Sequence, residues 1–247
     1  MRNFKLTLEY DGTDFKGWQI QGNGERTVQA ELETALSKIF KKKVNVIGSG
    51  RTDSGVHASG QVAHVNADTR METDKIQKAL NANLSEDIVA IKVQEVKKDF
   101  HAQFLAKSKI YRYSILNRSY PCAQSRRFLY YYRYPINLSL MRKEAKCLIG
   151  KKDFRSFQAA DFLRKDRNTI RTIKRITIRK KENLITIDIE ANGFLYKMVR
   201  NIVGTLLEIG SGLLPKGSLK KILKQKDRSY AGITAPAYGL CLIEVKY

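Results

Sequence analysis

Cysteine is scarce: Cys122, Cys147 and Cys241 are too few and too scattered for a disulfide framework or a CxxC zinc ribbon, and a reducing cytoplasm is the expected compartment. No stretch approaches the roughly 18 uninterrupted apolar residues of a membrane span. The opening residues alternate like a strand rather than running apolar like a signal peptide, so neither a membrane protein nor an exported one is expected. Four prolines and no run rich in glycine and serine leave no flexible linker, so the parts of the chain are expected to pack as one body. Acidic charge is also short, with 24 Asp and Glu against 46 Lys and Arg, a net charge of +22.

What is present suffices for a folded core: 43% of the residues are hydrophobic and 28% charged, which excludes a disordered tail. A length of 247 residues exceeds the usual ~100–200 per domain, and two domains are expected. The charge divides unevenly between them. Residues 1–105 hold 15 basic and 14 acidic side chains, net +1, whereas residues 106–247 hold 31 and 10, net +21. A solubility device would be spread evenly. A one-sided excess of this size points to a polyanionic partner, because each cation that displaces a condensed counterion adds affinity for nucleic acid.

Residues 4–10 alternate as a half-buried strand and end in an Asp11-Gly12 turn. Thr27 is the expected N-cap of a helix carrying Val28, Leu32, Ala35, Leu36, Ile39 and Phe40 at helical spacing. Strands follow at 44–47 and 61–66, joined by an irregular segment over 48–60 with four glycines, then a helix at 74–80 and a strand at 88–96. The order β-α-β-β-α-β resembles a ferredoxin-like split βαβ unit. The second half repeats the grammar more loosely, with strands at 111–116, 172–178, 184–190 and 240–245 and helices at 140–149 and 195–209. The boundary is expected near residue 105, giving an N-terminal α+β domain 1–105 and a basic C-terminal α+β domain 106–247.

Chemistry concentrates in Gly48-Ser49-Gly50-Arg51-Thr52-Asp53-Ser54-Gly55-Val56-His57. A dinucleotide fingerprint is excluded, because the third glycine would have to replace Asp53 and a helix would have to follow. Asp53 stands between Gly50 and Gly55, where small neighbours admit backbone or a flat ligand. Two readings of it stand side by side: an Asx-turn aspartate that holds the loop, or a nucleophile or base. His57, His64 and His101 have no cysteine or carboxylate at ligand spacing, so no metal site is expected and they read as hydrogen-bonding residues. Tyr130-Tyr131-Tyr132 reads first as sheet surface and second as a base-stacking run. The helix around residues 195–207 is apolar on nearly every side, which implies a buried Arg200 whose carboxylate partner comes from another element.

Taken together, Tyr10-Asp11-Gly12-Thr13, Phe15, Gly17-Trp18-Gln19, Thr27-Val28-Gln29, residues 50–58, Phe100-His101-Ala102, Tyr111-Arg112-Tyr113, residues 198–204, Ala235-Pro236 and Gly239-Leu240 resemble the tRNA pseudouridine synthase A family from end to end. The resemblance implies an α+β fold in which two ferredoxin-like halves join into a pseudouridine synthase fold, with a central, mainly antiparallel sheet and a basic RNA-binding cleft. It implies a cofactor-free, metal-free isomerase that converts uridine to pseudouridine in the anticodon stem-loop of tRNA, at positions 38, 39 and 40, and acts as a homodimer with tRNA lying across both subunits. In that family Asp53 corresponds to the catalytic aspartate, Arg51 to the residue that enters the RNA when the nucleotide flips out, and Tyr111 to the ring stacked on the uracil. Arg200 corresponds to the ion-pair partner of the aspartate and Leu240 to an apolar contact with the base. RNA contacts are implied for Phe100, His101, Ala102, Gln103 and Phe104, for the basic loop holding Arg164, Lys165 and Arg167, and for Arg70 and Arg118. Gln103 stands where the family usually has Arg, and Ser54 where Ala is commoner. A rival from another class is a non-catalytic RNA-binding protein of duplicated ferredoxin-like domains. It would use the same basic face but would carry an ordinary residue in place of Asp53 or Arg200.

Overall fold

The structure is a computed structural model that describes residues 1–22, 24–159 and 168–247. Arg164, Lys165 and Arg167 fall outside the described residues. The main elements are β1 (Arg2–Tyr10), α1 (Val28–Phe40), β2 (Val46–Gly48), β3 (His57–Ala67), α2 (Thr73–Asn83), β4 (Ile88–Val96), β5 (Ser108–Leu116), β6 (Tyr130–Tyr131), α3 (Leu138–Ala145), β7 (Gly150–Asp153), β8 (Ile170–Lys181), β9 (Leu184–Ala191), α4 (Met198–Gly210), α5 (Ser218–Gln225) and β10 (Leu240–Lys246). The chain divides into two compact units, one of Met1–Lys107 with Cys241–Tyr247 and one of Ser108–Leu240.

In the first unit β1 lies between β4 and β3, antiparallel to both, and β2 pairs antiparallel with β3. Phe4, Leu6 and Leu8 alternate along β1 and are fully buried, as a strand with one face on a core requires. Val28, Leu32, Ala35 and Leu36 of α1 and Ile76 and Leu80 of α2 are buried at helical spacing. Thr27 caps α1 as its sequence position predicts, its side-chain oxygen accepting from the Ala30 N–H at 3.3 Å.

Two expectations are corrected here. The division at residue 105 assigns the C-terminal strand to the second half, but Cys241–Tyr247 belongs to the first unit, because β10 adds to β3 in parallel with Cys241 opposite His57 and Leu242 opposite Ala58. The irregular segment is shorter than 48–60, because β3 begins at His57.

In the second unit β9 lies between β5 and β8, β7 extends the sheet beyond β8, and β6 pairs with β5. All pairs are antiparallel except β5 with β6. Ile185, Ile187, Ile189 and Ala191 on β9 are fully buried. Of the residues in α4 only Arg200 and Glu208 are not buried. The helix therefore matches the all-round apolar pattern of its sequence, but Arg200 is half-buried rather than enclosed, which corrects the expectation drawn from that pattern.

Candidate active site

The loop carrying Arg51 and Asp53 runs between β2 and β3, and buried polar side chains hold it from beneath. Gln61, fully buried on β3, donates from its Nε2 to the Gly50 carbonyl at 3.0 Å and accepts at its Oε1 from the Ser49 hydroxyl at 2.7 Å. The Tyr10 and Thr52 hydroxyls meet at 2.8 Å. Burial pushes the Tyr10 phenol well above its ordinary pKa, so it remains a protonated, structural group.

The segment 11–18 wraps the outside of the loop. The Trp18 N–H donates to the Thr52 carbonyl at 3.1 Å, and the Gly55 N–H to the Phe15 carbonyl at 3.3 Å. A methyl group on Gly12 would overlap the Val56 carbonyl oxygen, and one on Gly17, at φ +95°, would press on the Thr52 carbonyl. These approaches give a physical reason for the Asp11-Gly12 and Gly17-Trp18 pairs. Within the frame the Val56 N–H closes a turn onto the Asp53 carbonyl at 3.1 Å. Thr52 is buried, Asp53 half-buried and Arg51 exposed.

The histidines act as hydrogen-bond acceptors for backbone. His57 Nδ1 accepts from the Gly12 N–H at 2.9 Å, His64 Nδ1 from Ala102 at 3.1 Å, and His101 Nδ1 from Gln103 at 3.2 Å. Burial first, and the neighbouring His101 second, lower the His64 pKa, which favours the neutral ring this geometry needs. Among the described residues no group of three or more His, Cys, Asp or Glu side chains is placed to hold a metal ion.

His64 also anchors the segment 100–104. Ala102 is fully buried, its carbonyl accepts from the Tyr247 hydroxyl at 2.7 Å, and Gln103 and Phe104 are left exposed with the Phe104 ring stacked on His101. This segment and the Asp53 loop are fixed at different places on β3, at His64 and just before His57, about 23 Å apart at ~3.3 Å of strand per residue. Arg70 is exposed in the connection between β3 and α2.

In the second unit Tyr111 is buried on β5, opposite Ile189, with Phe194 edge-on to its ring at 5.1 Å between centroids. Leu240 is buried at the start of β10. Arg200 exchanges two hydrogen bonds with one residue: its Nε donates to the Ala235 carbonyl at 2.7 Å, and the Ala235 N–H donates to the Arg200 carbonyl at 3.1 Å. The Asn201 side chain donates to the Phe157 carbonyl at 2.8 Å and accepts from the Thr234 hydroxyl at 2.6 Å. Tyr113 donates from its hydroxyl to the Pro236 carbonyl at 2.8 Å. Segment 232–240 is thereby fixed against α4 and β5. Arg118 stabilises its own turn, donating to the Tyr120 and Pro121 carbonyls at 2.9 and 3.0 Å with its guanidinium 4.0 Å from the Tyr120 ring centroid.

Sequence reasoning missed the supporting side chains, Gln61 and Thr52 beneath the loop and Asn201 beside Arg200. A polar residue at a position that the strand or helix period assigns to the core is the signal that could have found Gln61 and Asn201; Thr52, in a loop, has no such period. Gln61→Leu should remove the hydrogen bonds to the Ser49 hydroxyl and the Gly50 carbonyl, costing about 2–4 kcal/mol of stability. Urea unfolding checks this, and wild-type stability would remove Gln61 from this role.

Comparison with known proteins places this geometry in context. A family model described as tRNA pseudouridine synthase matches residues 7–105 and 145–247. The chain is 46% identical over 247 residues to tRNA pseudouridine synthase A of Thermoanaerobacter sp. strain X514, covering all of both chains. It is 43% identical to tRNA pseudouridine synthase A 2 of Clostridium perfringens strain 13, again over the full length of both. Against tRNA pseudouridine synthase A of Limosilactobacillus reuteri strain DSM 20016 it is 44% identical over 252 residues, covering 100% of this chain and 97% of the relative.

Proposed function

Because the chain belongs to the tRNA pseudouridine synthase family, we propose that it isomerises uridine to pseudouridine in the anticodon stem-loop of tRNA, with Asp53 as the reacting carboxylate. The observation that carries this reading is the full-length similarity, within which Asp53 lies in a loop clamped by the buried Tyr10, Thr52 and Gln61. A preorganised carboxylate on a rigid frame is what covalent or general-base chemistry at a sugar carbon requires.

A uracil in a stem is out of reach of any side chain, so the nucleotide leaves its stack and is held against an aromatic face, the role of Tyr111 with Leu240 as an apolar contact. Arg51, exposed at the loop surface, takes the space that the base vacates. Asp53 either attacks C1′, forming a carboxylate ester as the uracil leaves through N1, or removes the C2′ proton to give a glycal. In both routes the uracil turns and C5 bonds to C1′, displacing the Asp53 carboxylate from its ester in the first route and with a proton returned from Asp53 to C2′ in the second; the C5 proton passes to solvent and N1 takes one up, so nothing is oxidised or consumed. No cofactor takes part in this scheme.

The order β1-α1-β2-β3-α2-β4 with β4-β1-β3-β2 adjacency supports a ferredoxin-like first unit, and β5-α3-β8-β9-α4 with β5-β9-β8 adjacency supports a related second one. The excess of basic charge in residues 106–247 supports RNA as the partner, and Arg70, Arg118 and the 100–104 segment are further RNA contacts in this reading. The protein works as a cytoplasmic homodimer, by similarity to the family. Mapping pseudouridine in tRNA after incubation with the pure protein tests the proposal, and RNA binding without any new pseudouridine would favour the non-catalytic rival.

The reading includes Arg200 as the cation that keeps Asp53 ionised, since a positive neighbour stabilises a carboxylate's charged form. Arg200→Met keeps much of the volume but removes the charge, and activity should fall at least ~100-fold, with Lys intermediate because it lacks the planar fork. In an Asp53→Asn background the same change should cost about 1–3 kcal/mol less stability than the two single changes added together. Denaturant unfolding of the four proteins measures this, and simple additivity would show that the two are not partners.

A further inference from the structure

The strands around Tyr111 sort their charges by face. Asp188 and Glu190 are the only acidic residues on β5, β8 and β9. Arg112 meets Asp188 through two hydrogen bonds of 2.7 and 2.9 Å, while Ser108 donates to Glu190 at 2.8 Å and Arg175 lies 3.8 Å from it. Strand side chains alternate, so this matched set lies on the face opposite Tyr111.

The Tyr111 face carries two basic residues of these strands. Lys109 precedes Tyr111 by two residues and therefore shares its face, in one cross-strand row with Ala191 and Ile173. Arg171 precedes Ile173 by two and shares that face. Ala191 and Ile173 are fully buried, so the two cations flank the end of the core. Burial and the Arg171 charge together pull the Lys109 ammonium down to about 8. Arg171 Nη1 donates to the Asn168 and Ile170 carbonyls, each at 2.8 Å, and its Nε and Cδ lie 3.6 and 3.7 Å from where a Gly193 Cβ would stand. Phe194, next in the chain, is the ring that meets Tyr111. One patch thus joins two cations, a glycine and the aromatic pair.

A lysine and an arginine on one sheet face, near enough for the arginine's charge to act on the lysine, suit an anion with several oxygens, the lysine as a point charge and the arginine as a planar fork. We propose that Lys109 and Arg171 form a phosphodiester-binding site that holds the RNA backbone beside Tyr111. The site rests on the RNA-modifying reading and adds to it the element that positions the strand once a base has left its stack. Phosphate contacts set register rather than sequence, so these residues act as positioning groups.

The test is binding of an anticodon stem-loop RNA in which each backbone phosphate in turn is replaced by an uncharged methylphosphonate. In the wild-type protein one or two replacements near the target uridine should weaken binding about tenfold, the scale of a charged hydrogen bond. Lys109→Met should bind the all-phosphate RNA about tenfold more weakly and lose nothing further to those same replacements, whereas Lys109→Arg should restore the sensitivity. Arg171→Gln should blunt it as Lys109→Met does, so the question is decided even if one variant does not fold. Equal penalties at every phosphate in wild type and variants would overturn the site while leaving the isomerase reading intact. The expected pattern in a protein that makes no pseudouridine would overturn the isomerase reading and leave the site standing.

Discussion

Asp53→Asn should yield a folded protein that still binds tRNA and forms no pseudouridine. Asparagine has nearly the same shape as aspartate but carries no charge, so it is neither the nucleophile nor the base that the reaction needs. Much of the loop's support comes from groups other than the carboxylate. Gln61 holds Gly50 and Ser49, Tyr10 meets Thr52, Trp18 and Phe15 hold the outer side, and the turn at residue 53 is closed through its backbone carbonyl. Unfolding free energy should therefore fall by no more than the roughly 1–3 kcal/mol expected of the Arg200 partnership. Single-turnover conversion should fall by at least ~10³-fold, as when a group acting directly on the reacting atoms is lost. Conversion within tenfold of wild type would remove Asp53 from the chemistry. A matching loss of tRNA affinity would mean that the carboxylate holds the loop, the Asx-turn alternative that the bare sequence also allows.

How much of this was legible beforehand depends on how far each signal acts along the chain. Elements with a strong local period were readable: β1 by alternation, α1 by its Thr27 cap and apolar stripe, and α4 by its apolar run. Short or edge elements were not. β6 has two residues and β7 four, too few for a period to register, and α5 buries only Ser218, Leu219 and Ile222 among lysines. The C-terminal strand was visible as a strand, but its partner was not, because pairing with β3 is a long-range choice that composition does not encode. Half-burial of Arg200 was misread for a related reason: hydrophobicity along a helix says which turns are apolar, not where a neighbouring segment leaves one side open. The motif singled out the loop between β2 and β3, whereas the side chains that support that loop were not legible. Gln61 looks like any polar strand residue until the register turns it beneath Gly50.

Gly204→Ala should be among the most damaging single changes outside the site. Local propensity predicts the opposite sign, because Gly204 lies within α4 and alanine there should stabilise the helix by about 1 kcal/mol. Packing overrides this. A methyl group on Gly204 would overlap the Ile233 carbonyl oxygen and stand 2.8 Å from its carbon, and a backbone carbonyl cannot swing aside as a side chain can. The segment it would displace is tied to α4 at each step: the Gly232 N–H to the Thr205 hydroxyl at 3.0 Å, the Thr234 hydroxyl to Asn201 at 2.6 Å, and the Ala235 backbone to Arg200 in both directions. Moving one member strains the rest, so a net loss of about 3 kcal/mol is expected, at the upper end of overpacking costs. The same displacement shifts the anchor of the Arg200 guanidinium and the Pro236 carbonyl that accepts from Tyr113, so specific activity should fall even in the fraction that stays folded. Gly210→Ala supplies the control within the same helix. Its added methyl would meet the Met141 side chain, which can take another rotamer, and the cost should be about 1 kcal/mol or less. Urea midpoints of the two variants decide the matter: equal midpoints would show that the Ile233 backbone yields, and that the closeness of α4 to segment 232–236 is not what holds Arg200 in place.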